Sequence, residues 1–440
     1  MNKRILSIAV LASMLMFTQS SCIKEYTDPS SITETQATSS AEGVAGLING
    51  LQSRYTVGRQ CPLYQSFSAS GLVTNELRVL NLGNTDEVNF SAGLGAVLPS
   101  NAGIAQLWAQ SFLMLGEAEL VIKNKGVTTD PKNQAILQAY GHFYKALAIG
   151  NLATFFEKMP ITIGKNQPFV TREEALKSAV ALLEGAEAIM TPVEAAAISA
   201  FSANRLVAGF DIKNSVLALQ ARYNLMLKDY GKAKAAADKV NLAVKSAFRF
   251  DAVSTNPIFF VSYSNRNVVE NTNRNLGLPA SLILDTLDKR IPFYFNPASS
   301  STVNLGFGFF RTTTSDIPVY LPGEISLIKA ECLAQTDVAA AVTELSNLMK
   351  KKASADAWGV GADLAAGYTG AATKDAVLTE IYRQRCIELC NSGLRLEDSR
   401  RLGRPGPDQP VATRERGRNF FPYPQAERDN NTATPADPAF

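Results

Sequence analysis

The chain has 440 residues, of which 46% are hydrophobic, so it can bury a sizeable core. Its formal net charge is +3 and falls to +1 when residues 1–21, with Lys3 and Arg4, are set aside. A near-neutral balance argues against a nucleic-acid partner, which favours a basic face. No later segment has the roughly 20 apolar residues that a membrane-spanning helix needs, so composition argues against a body embedded in a bilayer.

The N-terminal segment has the pattern of an exported lipoprotein. Lys3 and Arg4 precede an apolar run over 5–17 that is too short to cross a bilayer, and small residues lead to Cys22. The sequence predicts a signal peptide over 1–21 and lipidation of Cys22, whose acyl chains would anchor the protein to a membrane. The alternative is an ordinary cleaved signal and a soluble product.

The remaining chain divides by composition. Residues 22–41 are polar and rich in Ser and Thr, which predicts a flexible tether after the lipid anchor. Residues 42–440 predict one domain with a mostly helical pattern. A segment at about 248–322 is rich in Asn, Ser, Phe and Tyr, which predicts an inserted region of loops and short strands.

Helical periodicity dominates outside that insertion. Apolar residues at 3–4 spacing predict a long helix over 135–156, and the segments 216–240 and 325–349 each predict two helices around a tight turn. Small residues where two helices cross let their backbones approach closely. Together with further amphipathic helices at 172–190 and 375–396, these pairs predict a mostly α fold of tetratricopeptide-like repeats, an α-α superhelix. An irregular helical bundle is the alternative.

The cysteines and the single histidine offer little catalytic chemistry. Cys386 and Cys390 are four residues apart on a predicted helix, a poor geometry for a disulfide, and no histidine lies near them to complete a metal site. We predict that they are small buried side chains, as are Cys61 and Cys332.

An enzymatic function finds little support in the sequence. His142 is the only histidine, and no nucleophile-elbow, P-loop or dinucleotide-binding motif is present. Two carboxylate pairs, Glu117/Glu119 and Glu173/Glu174, would suit a glycosidase only across a cleft, and on helices they predict a solvated face. The sequence therefore predicts no enzyme, no metal and no cofactor.

A binding function matches the composition of the loop regions better. Sugar rings present apolar faces that stack on aromatic rings, and their hydroxyl groups require polar partners. The candidate ligand residues, chosen from composition and loop placement, are Tyr263, Asn265, Asn267, Tyr294, Phe309, Trp358 and Tyr368. The alternative for each ring is that it packs in the core beneath the loops.

The order of motifs along the chain resembles the SusD/RagB family of outer-membrane nutrient-binding lipoproteins. The resemblance covers nearly all of the chain after Cys22 and is most specific near the C-terminus, although Gln384 and Ser392 stand where the family pattern has glutamate. The residues that carry it are Trp108, His142, Phe143, Tyr144, Lys145, Ala218, Tyr230, Asp288, Arg290, Asp316, Tyr320, Ile381, Arg385, Glu388, Gly393, Arg395, Asp398, Phe421, Pro422, Tyr423 and Glu427.

The resemblance implies a function and a location. It implies a surface-exposed outer-membrane lipoprotein that binds an oligosaccharide or polysaccharide and passes it to a SusC-like TonB-dependent transporter. The same uptake role with peptide cargo stays open, as does a tetratricopeptide-type scaffold lipoprotein of the envelope. In the C-terminal motif, Arg385, Glu388, Arg395 and Asp398 are expected to form a structural network of charge-assisted hydrogen bonds rather than a reactive site.

Overall fold

The computed structural model describes residues 33–264, 267–295 and 308–440. In this part of the chain the strands are β1 (Leu77–Val79), β2 (Lys158–Met159), β3 (Val170–Thr171), β4 (Ala247–Phe248), β5 (Val269–Asn271) and β6 (Ile317–Pro318). The α-helices are α1 (Glu34–Ala37), α2 (Ala41–Thr56), α3 (Pro62–Val73), α4 (Thr85–Ala92), α5 (Ala102–Lys123), α6 (Pro131–Phe155), α7 (Arg172–Met190), α8 (Ala195–Arg205), α9 (Ile212–Met226), α10 (Tyr230–Lys239), α11 (Arg290–Tyr294), α12 (Pro322–Leu333), α13 (Val338–Lys350), α14 (Lys374–Glu388), α15 (Arg395–Arg401) and α16 (Gln425–Asn430).

The N-terminal predictions lie partly outside the described residues. The signal peptide over 1–21, Cys22 and the first part of the tether fall there. From Thr33 onwards the predicted tether is ordered, because Thr33 and Gln36 form a capping box that begins α1. Ser40 then caps α2 by accepting a hydrogen bond from the Gly43 amide. Local capping side chains therefore give this polar segment helical structure without a hydrophobic face.

Three long helices form the first layer of the body. Helix α6 packs against both α5 and α7, and nearly all of its residues from Ile136 onwards are buried. Asp130 caps its N-terminus and Pro131 occupies its first turn, where the missing amide of proline costs nothing. The predicted helix over 135–156 is thus confirmed and starts one turn earlier. Helix α7 matches the prediction over 172–190.

Two helical repeats follow and stack on each other. In α9–α10 and in α12–α13, an aspartate at the turn, Asp229 or Asp337, caps the second helix by accepting from the amide three residues later. Helix α10 packs on α12 through buried alanines, among them Ala233 and Ala237. The predicted tetratricopeptide-like pairs are confirmed, and the fold is mostly helical with a loop-rich, partly β insertion.

The last predicted helix, over 375–396, is interrupted. Helix α14 ends at Glu388 because Asn391 and Gly393 adopt positive φ angles of 60° and 80°, and the chain resumes as α15. In the loop-rich region short antiparallel ribbons pair β4 with β6, and β1 with β5. Within the described ranges, no helix is long and apolar enough to cross a membrane. The four described cysteines are free, and all four are buried as predicted.

Candidate ligand-binding surface

Four of the seven candidate ligand residues meet in one aromatic cluster. Tyr294 lies 6.1 Å from Phe309 between ring centroids, and Phe309 lies 5.6 Å from Trp358. Phe310 extends the cluster to Tyr263, at 6.2 Å. The sequence could not show this proximity, because the rings come from four segments that only the tertiary fold brings together. We call Tyr263, Phe293, Tyr294, Phe309, Phe310 and Trp358 the aromatic cluster.

Three of those candidates are core residues. Tyr263, Tyr294 and Phe309 are 6%, 2% and 8% exposed. Their polar groups are satisfied inside the protein: the Tyr294 hydroxyl donates to the backbone carbonyl of Glu388, and the Tyr263 hydroxyl accepts from the Asn391 side-chain amide, both at 3.0 Å. The alternative of core packing describes all three rings, and Tyr294 and Phe309 also line an internal cavity of about 110 Å³.

Trp358 carries the aromatic cluster to the surface. It lies in the loop after α13 and is partly exposed. The loop is fixed by the buried carboxylate of Asp356, which accepts hydrogen bonds from the backbone amides of Trp358 at 2.8 Å and Val360 at 3.2 Å. Lys351 binds the other oxygen of that carboxylate at 2.6 Å. With Phe309 packed edge-on beneath it, the indole has a rigid support.

Charged side chains border this indole. Lys245 places its Nζ 5.1 Å from the centre of the Trp358 ring, and Arg249 lies 3.6 Å from the carboxylate of Asp316. Burial raises the pKa of Asp316, although Arg249 and Lys245 both act to lower it. Strands β4 and β6 bring these residues together by pairing Phe248 with Ile317. We call Trp358, Lys245, Arg249 and Asp316 the Trp358 platform.

Sequence reasoning missed the charged members of the platform. Asp316 belongs to a family motif and was named for that reason alone. Lys245 lies just before the predicted insertion, and Arg249 lies at its border. The sequence does show charged residues next to the short apolar pairs that form both strands. It does not show that these two strands pair with each other, because a strand of two residues has no periodicity from which its partner can be predicted.

The other candidates lie elsewhere. Exposed Asn267 accepts hydrogen bonds from Asn81 and Asn84, both at 3.0 Å, and these three residues form an asparagine cluster beside β1 and β5. Tyr368 packs on a separate hydrophobic cluster around α12, α13 and α14, and its hydroxyl donates to the Ala371 carbonyl at 3.0 Å. Asn265 lies outside the described residues. Their role in binding stays a prediction.

The C-terminal charged residues form a network, but with different pairs from those expected. Arg385 binds Asp398 at 2.8 Å, whereas Arg395 donates to the backbone carbonyl of Leu276 at 2.5 Å. Glu388 pairs with neither of these arginines. Its partners are Lys351 at 3.4 Å and Arg290 at 2.9 Å, because α14 ends with Glu388 facing the loop-rich region.

Arg290 is the centre of a second, fully buried set of contacts. It also binds Asp288 at 2.6 Å and donates to the side-chain oxygen of Gln384. Gln384, which stands in place of the glutamate in the family pattern, therefore supplies a neutral acceptor here. We call Arg290, Asp288, Gln384 and Glu388 the Arg290 network.

The cavity nearest to the aromatic cluster is too small for an oligosaccharide. A cavity of about 110 Å³ lies beneath the loop-rich region, lined among others by Tyr55, Tyr223 and Arg222. Sites for drug-sized ligands typically have about 300–1,000 Å³. A groove of about 440 Å³ between α7 and the α9–α10 turn is larger, but none of its lining residues is aromatic. The Trp358 platform differs from both in that its partly exposed ring and its charged groups lie at the surface.

The carboxylate pairs are engaged in ordinary contacts. Glu117 binds Arg54, Glu119 binds Lys145, Glu173 binds Lys177, and Glu174 caps α7 through Thr171. His142 is partly buried, and burial lowers its pKa. Among the residues that the structure describes, no group of three or more His, Cys, Asp or Glu side chains is placed to hold a metal ion.

The architecture defines a helical-repeat protein with a loop-rich insertion, and solved structures share it over nearly the whole chain. A SusD superfamily protein from Bacteroides thetaiotaomicron VPI-5482 matches with a TM-score of 0.69 and 13% identity, over 91% of this chain and 100% of that one. Another from Bacteroides vulgatus ATCC 8482 matches with a TM-score of 0.68 and 18% identity, over 91% and 99%.

A SusD-like carbohydrate binding protein from Bacteroides fragilis NCTC 9343 matches with a TM-score of 0.64 and 15% identity, over 91% of this chain and 100% of that one. No protein-family model and no curated protein matches the chain. At these identities the structures establish the fold. The chain has the SusD-type fold, and the resemblance inferred from its motif order is confirmed at that level.

Proposed function

We propose that this chain is a non-catalytic lipoprotein of the outer membrane that binds oligosaccharides and passes them to a SusC-like TonB-dependent transporter. The observation that carries the proposal is the Trp358 platform. A supported, partly exposed indole provides an apolar face for a sugar ring, and Lys245, Arg249 and Asp316 provide donors and an acceptor for its hydroxyl groups. Structures with the same fold that are described as carbohydrate binding proteins support it.

The first test is a binding screen of the chain against polysaccharides, oligosaccharides and peptides by affinity electrophoresis and calorimetry. The Cys22→Ser variant of the full chain, released without the predicted lipid, is the sample. We expect one glycan class to bind, and Trp358→Ala to weaken binding at least about tenfold, or roughly 1.4 kcal/mol.

A matched control removes an exposed ring from another segment. Phe260 is 55% exposed on the short helix Phe259–Tyr263, so Phe260→Ala is expected to leave the affinity unchanged. Equal losses in Trp358→Ala and Phe260→Ala would refute a site centred on Trp358. Binding of peptides and of no glycan would transfer the role to peptide cargo, and no binding by a folded sample would favour the scaffold function.

The anchor and the transporter partner require separate tests. The N-terminal pattern ending at Cys22 supports anchoring, and labelled palmitate is expected to be incorporated into the native chain but not into Cys22→Ala. Copurification of a TonB-dependent barrel with the lipidated chain from outer membranes would support the handover. Recovery of the native chain without lipid in the periplasm would contradict the proposed location.

A further inference from the structure

Lys245 covers the ring of the Trp358 platform without being fixed there. Its side chain is exposed, and its ammonium group lies 5.1 Å from the ring centre. Cation–π contacts at exposed sites are weak, and lysine is a flexible side chain. A sugar ring can therefore take the place of the ammonium group, which then remains within reach of the bound ligand.

Arg249 packs closely against a glycine. Its side chain lies across Gly209, a residue with φ of +94° at which an added Cβ would come within 2.4 Å of the Arg249 Nε. The side chain remains 53% exposed, and its Nε lies 3.6 Å from a carboxylate oxygen of Asp316, beyond the length of a good hydrogen bond. Arg249 is therefore an exposed cation without a short ionic contact to Asp316.

The charges of the platform do not balance. Lys245 and Arg249 both act on the carboxylate of Asp316, so two cations share one anion. Asp356, the carboxylate beneath Trp358, is buried and bound by Lys351 at 2.6 Å, and it therefore does not neutralise the surface. The platform thus combines a stacking ring with a surplus positive charge.

We infer that the Trp358 platform selects acidic oligosaccharides, with a sugar ring on Trp358 and a carboxylate or sulfate group between Lys245 and Arg249. The inference rests on the proposed function and adds the class of glycan. Arginine provides a planar pair of donors that matches a carboxylate or sulfate, and lysine adds a mobile charge. A neutral glycan would displace Lys245 from the ring without gaining an ionic contact in return.

The test compares an oligogalacturonate with its fully methyl-esterified form, which has the same ring and no charge. A chondroitin sulfate oligosaccharide distinguishes sulfate from carboxylate. Calorimetry with the Cys22→Ser full chain is expected to show at least about tenfold tighter binding of one acidic ligand than of the ester. Raising NaCl from about 50 mM to about 500 mM is expected to remove most of that preference, because salt screens exposed charges.

Variants assign the preference to its residues. Lys245→Met and Arg249→Met are each expected to weaken binding of the acidic ligand about fivefold. They should weaken binding of the ester less, because the ester loses a hydrogen-bond donor for its hydroxyl groups but no ionic contact. Lys132→Met, which removes an exposed lysine from the start of α6, is the control and is expected to have no effect. Both replaced residues of the platform are exposed, so folding is retained.

The outcomes separate the two proposals. Equal affinity for the acidic and esterified ligands, with loss in Trp358→Ala, would overturn the inference and leave glycan binding in place. A preference for acidic ligands that persists in the double variant Lys245→Met/Arg249→Met would also overturn it, since the charge would act elsewhere. If no glycan binds, both the inference and the proposed function fail.

Discussion

Replacing Arg290 by methionine tests whether the Arg290 network holds the C-terminal helices to the loop-rich region. The guanidinium group is fully buried and binds Asp288 at 2.6 Å and Glu388 at 2.9 Å. Arg290→Met leaves both carboxylates buried, with Lys351 at 3.4 Å as the remaining cation near Glu388. Breaking a buried ion pair from one side typically costs about 3–5 kcal/mol, because the remaining charge stays desolvated.

The expected loss is large enough to measure. With an unfolding entropy of about 2.1 cal/mol/K per residue, a chain of 440 residues should lose roughly 3–5 °C in Tm if it unfolds as one unit. Urea unfolding followed by circular dichroism gives the free energy directly. The control is Lys177→Met, which removes the cation of an exposed pair with Glu173 and should leave stability within error.

A double variant identifies the cause of the loss. Arg290→Met combined with Glu388→Gln removes charge from both sides and should be less destabilising than the sum of the two single changes, by about 1 kcal/mol or more. A loss below about 1 kcal/mol in Arg290→Met, or additive losses in the double variant, would refute the reasoning. In that case the network would contribute no more than surface charges do.

Three further predictions concern the backbone, the histidine and the cysteines. Gly393→Ala should reduce the free energy of unfolding by at least about 1 kcal/mol, because φ is +80° and the new Cβ would lie 2.9 Å from the Ser66 carbonyl carbon. The control is Gly46→Ala on α2, which should not be destabilising because nothing lies within 4 Å of the added Cβ. A similar loss of stability in both variants would contradict this prediction. Burial lowers the pKa of His142 below its ordinary 6.5, so protonation favours the unfolded chain and native stability should fall as the pH drops below that value. In thermal unfolding between about pH 7.5 and 5.5, His142→Gln should flatten the dependence of Tm on pH. An unchanged dependence would exclude His142 as its source. In Cys22→Ser, a thiol reagent at about pH 8 should react with none of the four cysteines of the native protein and with all four after denaturation. Burial raises the pKa of Cys61, Cys332 and Cys386 to about 12 and holds the pKa of Cys390 well above its ordinary value. Rapid reaction of the native protein would contradict the burial of these thiols.

Local patterns in the sequence determined the helices and the repeats. The 3–4 spacing of apolar residues indicated α6 and α7 within a few residues of their bounds, since helix periodicity depends only on near neighbours. The turns of both repeats were recognisable because Asp229 and Asp337 cap the helices that directly follow them. Gly393 supplies a positive φ after α14, a conformation that glycine adopts without strain.

Tertiary structure alone decided which aromatic residues reach the surface. Tyr294, Phe309 and Trp358 look alike in sequence, as aromatic residues in polar loops, yet two are buried and one is partly exposed. The difference arises because rings from distant segments pack on each other, which buries some of them and leaves others, such as Trp358, partly exposed. The charged partner of that ring, Lys245, comes from a segment more than 100 residues away.

The same limit applies to the ion pairs of the C-terminal motif. The motif identified Arg385, Glu388, Arg395 and Asp398 as one group, but only the pair Arg385–Asp398 forms within it. Glu388 instead binds Arg290, which lies 98 residues earlier in the chain. A charged side chain pairs with whichever opposite charge the folded backbone brings within about 4 Å, and that distance follows from packing rather than from sequence spacing.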